Sequence, residues 1–393
     1  MAHQIPTSER QHIAFLGRCN SGKSSLINCI CRQQVSIVSD ISGTTTDPVI
    51  KAVELPNLGA VVLIDTPGLD DISSLGQQRI DRTFKILNKA DIAVVLFSDN
   101  NIETDAHLYA QIKSKGIPTI PAISKGDCID NIKQLSQSVA NLTHSTPVIV
   151  SAKTGEGIDD LIKSLSAFAN NDSRLITQGL CNDGDTVLLV MPQDAQAPKG
   201  RLIKPQVETL RELLDRGCNV MCCTPQNLEQ TLSQLVNPPQ LIITDSQVFS
   251  SVHHLKPEKT LLTSFSVLFA RYKGDIDTFI AGAQHLLSLN NSAHILIAEA
   301  CSHIPQNEDI GRVKLPRLLR KHLGNEIRID IVGGNDFPED LSPYDLIIHC
   351  GACMFNRQHV ISRIAQAQKQ NVPITNYGIA IAALTGILQA ISY

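Results

Sequence analysis

Short apolar runs alternate with longer stretches in which apolar residues recur every three or four positions, almost from end to end of the 393-residue chain. The runs HIAFLG, AVVLID, DIAVVLFS, IPTIPAIS and TPVIVSA are rich in β-branched residues, the pattern of strands covered on both faces. Between them lie segments such as LGQQRIDRTFKILNKA and IDNIKQLSQSVANL, whose apolar positions fall on one side of a helix. This order predicts a doubly wound sheet ending near residue 170, where FANNDSRLITQG turns polar.

A second series follows, with DTVLLVMP, NVMCCTP, QLIITDS and TLLTSFSVLF read as strands and KPQVETLRELLDRG and NLEQTLSQLV as helices. A third begins near residue 275: helix IDTFIAGAQHLLSL, strand AHILIAEAC, helix LPRLLRKHLG, strands RIDIVGG and DLIIHCGAC, and helix RQHVISRIAQAQKQ. The fold class is therefore α/β, with a large N-terminal domain over 1–172 and two smaller α/β domains over 180–272 and 275–393. The most apolar stretch, YGIAIAALTGILQAISY, is shorter than the ~20 residues that span a bilayer and contains Thr385 and Gln389. It reads as a buried helix, and no membrane partner is expected.

Charge narrows the function classes. Lys and Arg total 34 against 38 Asp and Glu, a net charge of −4, so the basic excess of a nucleic-acid binder is missing. Trp is absent and aromatics are few, which removes stacking platforms for single-stranded bases. The N-terminal MAHQIPTSERQ has no apolar core of a secretory signal. Eleven cysteines, an odd number, fit free thiols in a reducing compartment, and a cytoplasmic location is expected. Cys29, Cys31, Cys218, Cys222 and Cys223 read as small buried hydrophobes.

Chemistry enters at FLGRCNSGKSS, which fits G-x-x-x-x-G-K-[ST] with Gly17, Gly22, Lys23 and Ser24, followed by Ser25. It leaves a strand and opens a helix, the setting in which backbone N–H groups and a helix dipole hold phosphates. Lys23 supplies a cation there, and the Ser24 hydroxyl can meet Mg²⁺. DTPG (Asp65 to Gly68) ends a strand, where a carboxylate can hold Mg²⁺ through water and the Gly68 N–H can meet a γ-phosphate. SGTTTD supplies hydroxyls in a loop between these two motifs. SKGD (Ser124, Lys125, Gly126, Asp127) and SAK (Ser151, Ala152, Lys153) end later strands, and the Asp127 carboxylate can accept two hydrogen bonds from guanine. That pattern selects GTP.

In this order the motifs resemble the translation-factor-like GTPases, most closely the tRNA-modification GTPase TrmE and the Era group, over residues 12–170. The resemblance implies that Thr44 or Thr45 is the switch threonine, with Thr45 favoured and acting beside Ser24 and Asp65 at Mg²⁺. Ser21 belongs to the same loop. Asn20 matches the asparagine that accompanies K⁺ in such GTPases, which makes the hydrolysis K⁺-stimulated. Leu69 follows DTPG where Ras-type enzymes have a glutamine, so intrinsic hydrolysis should be slow. Ser124 stands where the family has Asn; a shorter side chain is expected to lose the brace between purine and P-loop and to weaken nucleotide binding.

At the other end, EACSHIP places Cys301 and His303, and IIHCGACMF places His349, Cys350 and Cys353, at two strand-to-loop exits. In an open α/β sheet such exits gather at the ligand crevice. Gly351 is expected to permit the tight loop between the paired cysteines. Unliganded buried cysteines, a thioredoxin-type pair, a Cys₃His zinc site and an iron–sulfur cluster all use such residues. Cys350 ends a strand and does not open a helix, which disfavours the thioredoxin type; spacing leaves zinc and iron–sulfur open.

A TrmE-like GTPase followed by two α/β units and Cys-x-His … His-Cys-x-x-Cys resembles the FeFe-hydrogenase maturation GTPases, across essentially the whole chain. The resemblance implies a scaffold that holds a 4Fe-4S cluster on Cys301, Cys350 and Cys353, with His303 and His349 as labile or second-layer groups. It implies a diiron precursor as cargo, two radical-SAM maturases and apo FeFe-hydrogenase as partners, and a homodimer formed through 180–272. The rival reading is a TrmE-like tRNA-modification or ribosome-assembly GTPase with a structural zinc. Against it, the GTPase domain is expected to start within the first dozen residues, leaving no room for the N-terminal domain of that family, and the C-terminal LQAISY lacks its cysteine motif.

Overall fold

The computed structural model describes residues 10–34, 39–41, 49–68, 87, 90–99, 101–170, 174–192, 202–299, 310–334, 336–352 and 355–393. The chain divides into two compact units, Met1–Ser173 and Arg174–Tyr393. In chain order the first contains β1 (Gln11–Leu16), α1 (Lys23–Gln34), β2 (Ser39–Ile41), β3 (Val49–Leu55), β4 (Gly59–Asp65) and β5 (Ile92–Phe97). It continues with α2 (Ile102–Ser114), β6 (Thr119–Ile123), α3 (Ile132–Thr143), β7 (Val148–Ile149) and α4 (Ile158–Asn170). The strands form one sheet in the order β2-β3-β4-β1-β5-β6-β7.

Alternation along β1 explains the two-sided core. Ile13 and Phe15 join Leu26 and Ile27 of α1 and Leu161 of α4 on one face. Ala14 and Leu16 join Ile112 of α2 and Val139 of α3 on the other. The pair β2–β3 was not foreseen. It runs antiparallel, with β3 laid along β4 from Val49↔Asp65 to Leu55↔Gly59. Its polar interruptions hide it from a search for continuous apolar runs. TPVIVSA contributes a ladder of only two residues, Val148 and Ile149, beside β6. The helix read in LGQQRIDRTFKILNKA lies almost wholly outside the described residues.

The second unit has two four-stranded parallel sheets, ordered β11-β10-β8-β9 and β13-β12-β14-β15. The first is built from β8 (Thr186–Val190), α5 (Lys204–Asp215), β9 (Asn219–Cys223), α6 (Leu228–Ser233), β10 (Leu241–Thr244), α7 (Phe249–Leu255), β11 (Leu261–Ser264) and α8 (Phe265–Lys273). The second has α9 (Ile276–Ser288), β12 (His294–Ala298), α10 (Leu315–Leu323), β13 (Arg328–Val332), β14 (Leu346–His349), α11 (Arg357–Lys369), β15 (Ile374–Asn376) and α12 (Tyr377–Leu384). One apolar core draws on both sheets, joining Leu188, Val190 and Ile242 to Leu296, Ala298 and Ile347.

TLLTSFSVLF is a strand only to Ser264. There the Ser264 hydroxyl accepts from the Val267 N–H and starts α8, so the cap overrides the β-like composition. The apolar C-terminal stretch forms α12, buried from Gly378 to Ala383, and stops near Thr385. No helix among the described residues is long and apolar enough to cross a membrane. Of the cysteines read as buried hydrophobes, Cys31 and Cys218 are buried and Cys29 and Cys223 half-buried, but Cys222 is exposed.

Candidate functional site

Gly17 leaves β1 and α1 begins at Lys23, so the loop between them sits at the carboxyl end of the sheet. Lys23 is buried, its ammonium donating to the carbonyls of Gly17 (3.0 Å) and Arg18 (2.8 Å). Asn20 adopts a left-handed φ of 60°. The Ser24 hydroxyl donates to Asp65 Oδ2 at 2.5 Å. Asp65 Oδ1 is buried without a hydrogen-bond partner among the described residues. Burial pushes the Asp65 carboxyl up, against the Ser24 hydrogen bond and the charges of Lys23 and Lys51. The Ser24 hydroxyl and the Asp65 carboxylate, whose Oδ1 is the unused buried oxygen, fit a hard divalent cation such as Mg²⁺. Gly68 lies against Cys19, whose backbone and sulfur a Cβ at position 68 would overlap, so DTPG packs directly on the P-loop. Thr44, Thr45 and Leu69 lie outside the described residues.

The base side of the site is built by β6, β7 and the loops after them. Gly22, Ser25 and Ser124 line a cavity of about 390 Å³ together with Lys125, Asp127, Ala152 and Lys153. Ser151 donates its hydroxyl to Asp127 Oδ1 (2.7 Å), and Cys128 donates to Oδ2 (3.3 Å). The first of these is the main reason that the Asp127 carboxyl is held below the ordinary range. An exposed, ionised and oriented carboxylate is what guanine recognition requires.

Ser124 corrects one expectation. Its buried hydroxyl donates to the Ser21 carbonyl at 2.6 Å, so the brace to the P-loop is kept by the shorter side chain.

At the thiol-bearing end, β12 and β14 are parallel neighbours with Ala298 opposite His349, and the Cys350 N–H donates to the Ala298 carbonyl (2.9 Å). The exits that lead to Cys301 and Cys350 therefore start side by side. Cys350 is half-buried, and its sulfur accepts from the Ala352 N–H at 3.4 Å. Among the described residues of this loop Ala352 is the left-handed one (φ 49°), and a Cβ on Gly351 would meet nothing, so Gly351 is not what they demand. The Lys273 ammonium donates to the carbonyls of Ala352 and Phe355, both at 3.0 Å.

His349 is buried, with Nε2 2.9 Å from the Arg363 guanidinium and Nδ1 2.6 Å from the Cys350 carbonyl. A guanidinium only donates, so Nε2 is the acceptor and Nδ1–H the donor. Burial, reinforced by the Arg363 charge, holds the imidazole down to about 3, neutral at physiological pH. Cys301, His303 and Cys353 lie outside the described residues, and no group of three or more metal-binding side chains forms among the described ones.

Residues 12–125 match the family model described as 50S ribosome-binding GTPase. Residues 176–274 match the hydrogen maturase F dimerization domain and residues 277–391 the hydrogen maturase F tetramerization domain. The two hydrogen maturase F models together cover more than half of the 393 residues. The chain belongs to the hydrogen maturase F family.

Curated relatives share the name GTPase Der. That of Agathobacter rectalis is 28% identical over 215 residues, 51% of this chain and 48% of its own length. That of Caldicellulosiruptor saccharolyticus is 31% identical over 185 residues, 44% and 42% of the two chains. The chain thus spans about half the length of the curated relatives it matches. Among solved structures, Era in complex with MgGDPNP and 16S ribosomal RNA nucleotides has a TM-score of 0.35 at 20% identity, covering 64% of this chain and 99% of that one.

This hydrogen maturase F chain carries site residues that motif reading passed over. Arg18 is one: its guanidinium binds buried Asp105 (3.1 Å) and Asp99 (2.6 Å), anchoring the P-loop to the start of α2. Cys128, which donates to Asp127, is another, and at the thiol-bearing end Lys273 and Arg363 hydrogen-bond to Ala352 and His349 on either side of Cys350. A signal for Arg363 existed, because it falls on the buried stripe of α11 with Val360, Ile364 and Ala367, where a charge is out of place.

Proposed function

We propose that this protein is a GTP-hydrolysing scaffold that holds a 4Fe-4S cluster and a diiron precursor, and delivers the precursor to apo FeFe-hydrogenase. Two radical-SAM maturases supply the precursor, and the scaffold works as a cytoplasmic homo-oligomer. Residues 1–172 turn over GTP, 180–272 dimerise and 275–393 bind the cluster through Cys301, Cys350 and Cys353. The family membership and one observation support this. The Cys350 N–H is hydrogen-bonded to Ala298, only three residues before Cys301, so at most ~10 Å of chain separates Cys301 from that contact. The donor set also fits: Cys350 sulfur accepts a backbone N–H, as metal-bound thiolates do. When bound, the cluster supplies an iron open to an outside ligand, because three thiolates leave one iron without a cysteine. The protein's residues hold and orient the sulfurs, and His349, with both ring nitrogens engaged, stands behind Cys350 as a second-layer group.

In the first unit, Ser24, Thr45 and Asp65 hold Mg²⁺, Lys23 meets the phosphates and Asp127 selects guanine. Asn20 serves K⁺, and GTP turnover faster in K⁺ than in Na⁺ buffer is the expected result; equal rates remove that role. Loss of the γ-phosphate releases the loops around Thr45 and Gly68, which changes the surface offered to partners. The carrier reading is tested by anaerobic reconstitution with iron and sulfide. A reduced 4Fe-4S EPR signal that disappears in Cys350→Ala is expected. Stoichiometric zinc with no cluster points instead to a zinc-stabilised GTPase.

A further inference from the structure

Two cations stand beside the segment that carries Cys350, Lys273 on the loop after it and Arg363 on the residue before it. Lys273 holds the carbonyls on either side of Cys353–Met354, as described above. Arg363 is the less usual of the two. It is 4% exposed, and its partners among the described residues are all neutral: the His349 imidazole at 2.9 Å, the Gly334 carbonyl at 2.6 Å, and the face of Phe337 with Cζ 4.7 Å from the ring centre. No carboxylate pairs with it among the described residues. A guanidinium withdrawn from water onto neutral groups is strongly unfavourable, and such a charge persists in a fold when an anion completes the site.

The surroundings say where that anion sits. Arg363 grips His349 Nε2, and His349 Nδ1–H in turn grips the Cys350 carbonyl at 2.6 Å. The relay is one-directional, since the imidazole can donate from Nδ1 only while Nε2 accepts from Arg363. Cys350 sulfur already accepts one N–H bond, from Ala352. A thiolate-held iron–sulfur cluster carries net negative charge, and Cys350 is the thiol to which this relay leads.

We propose that Arg363 is the built-in counter-charge of an anionic centre anchored at Cys350, and a positioning residue that fixes Cys350 through His349. This rests on the cluster reading above. The role predicts that charge, more than shape, sets how tightly the centre is held and how easily it is reduced.

The test uses the full-length chain, reconstituted anaerobically, as wild type, Arg363→Met, Arg363→Gln, Arg363→Lys and Cys350→Ala. Iron per chain, the rate at which a chelator strips iron, and the midpoint potential from an EPR-monitored titration are read. Both neutral variants should lose iron roughly tenfold faster than wild type and reduce at a more negative potential. Arg363→Lys should keep the wild-type potential and lose iron at an intermediate rate. Neutral variants that match wild type in both readouts overturn the proposal. So does failure of both metal-free neutral variants to fold by circular dichroism, which assigns Arg363 to the fold. If the wild type itself takes up no cluster, or Cys350→Ala takes up as much, the carrier reading falls first and the two failures are told apart.

Discussion

A single hydroxyl carries the link between the two ends of the nucleotide pocket. Ser124 leaves β6 with its side chain buried, and the donor reaches Ser21 O at 2.6 Å while a second carbonyl, Phe97 O, stands at 3.4 Å. One proton serves one acceptor well, so the bond goes to Ser21. What serine gives up relative to the longer asparagine is reach toward the purine. Ser124→Ala leaves the Ser21 carbonyl buried and short of a donor, at a cost of about 1 kcal/mol. Guanine nucleotide should then bind roughly fivefold more weakly, measured by fluorescent-nucleotide titration; an unchanged affinity would show that the P-loop needs no such brace. Motif reading located Ser124 and Asp127 from residue identity, because Asp127 chemistry depends on its own carboxylate. It could not find Arg18, whose role arises from Asp99 and Asp105, over eighty positions away in sequence.

Helix α9 lies so close to β15 that Gly282 faces the Ile374 carbonyl, and a Cβ there would overlap the Ile374 oxygen and sit 2.6 Å from its carbonyl carbon. The contact is reinforced by Thr375, whose hydroxyl donates to Phe279 O at 2.7 Å across the same seam. In an isolated helix Gly→Ala is worth about 1 kcal/mol of added stability. Here the backbone cannot move aside without breaking the Thr375 bond, and overpacking costs ~1–3 kcal/mol. Gly282→Ala should therefore lower the denaturant midpoint of the second unit; a raised midpoint would mean that the helix and strand separate freely. Element existence was legible wherever a long apolar or amphipathic run stood alone, as in β5, α5 and α11. It was not legible in TLLTSFSVLF, where the same apolar letters serve β11 and then α8, and only the cap at Ser264 marks the change.

Over the larger span, the sheets of residues 174–393 share one core, with Phe279, Ala283 and Ile374 packed in the same cluster as Leu188 and Ile242. The family models divide this stretch at residues 274 and 277, yet its apolar packing is continuous across that point. Lys273, at the end of α8, reaches across the same boundary to hold the loop after Cys350. The order of the strands, the phosphate loop, the SKGD carboxylate and the Cys-x-His and Cys-x-x-Cys segments could all be read from local composition. Each depends on neighbours within a few positions, and periodicity and turn chemistry act over that range. The antiparallel β2–β3 extension, the Ala298–Cys350 adjacency and the hydrogen bonds of Lys273 to Ala352 and Phe355 and of Arg363 to His349 could not. The extension lacks the continuous apolar run that marks a strand, and the other contacts join residues from 14 to 82 positions apart; a buried charge acquires meaning only when the fold fixes which groups surround it and excludes the water that would otherwise screen it.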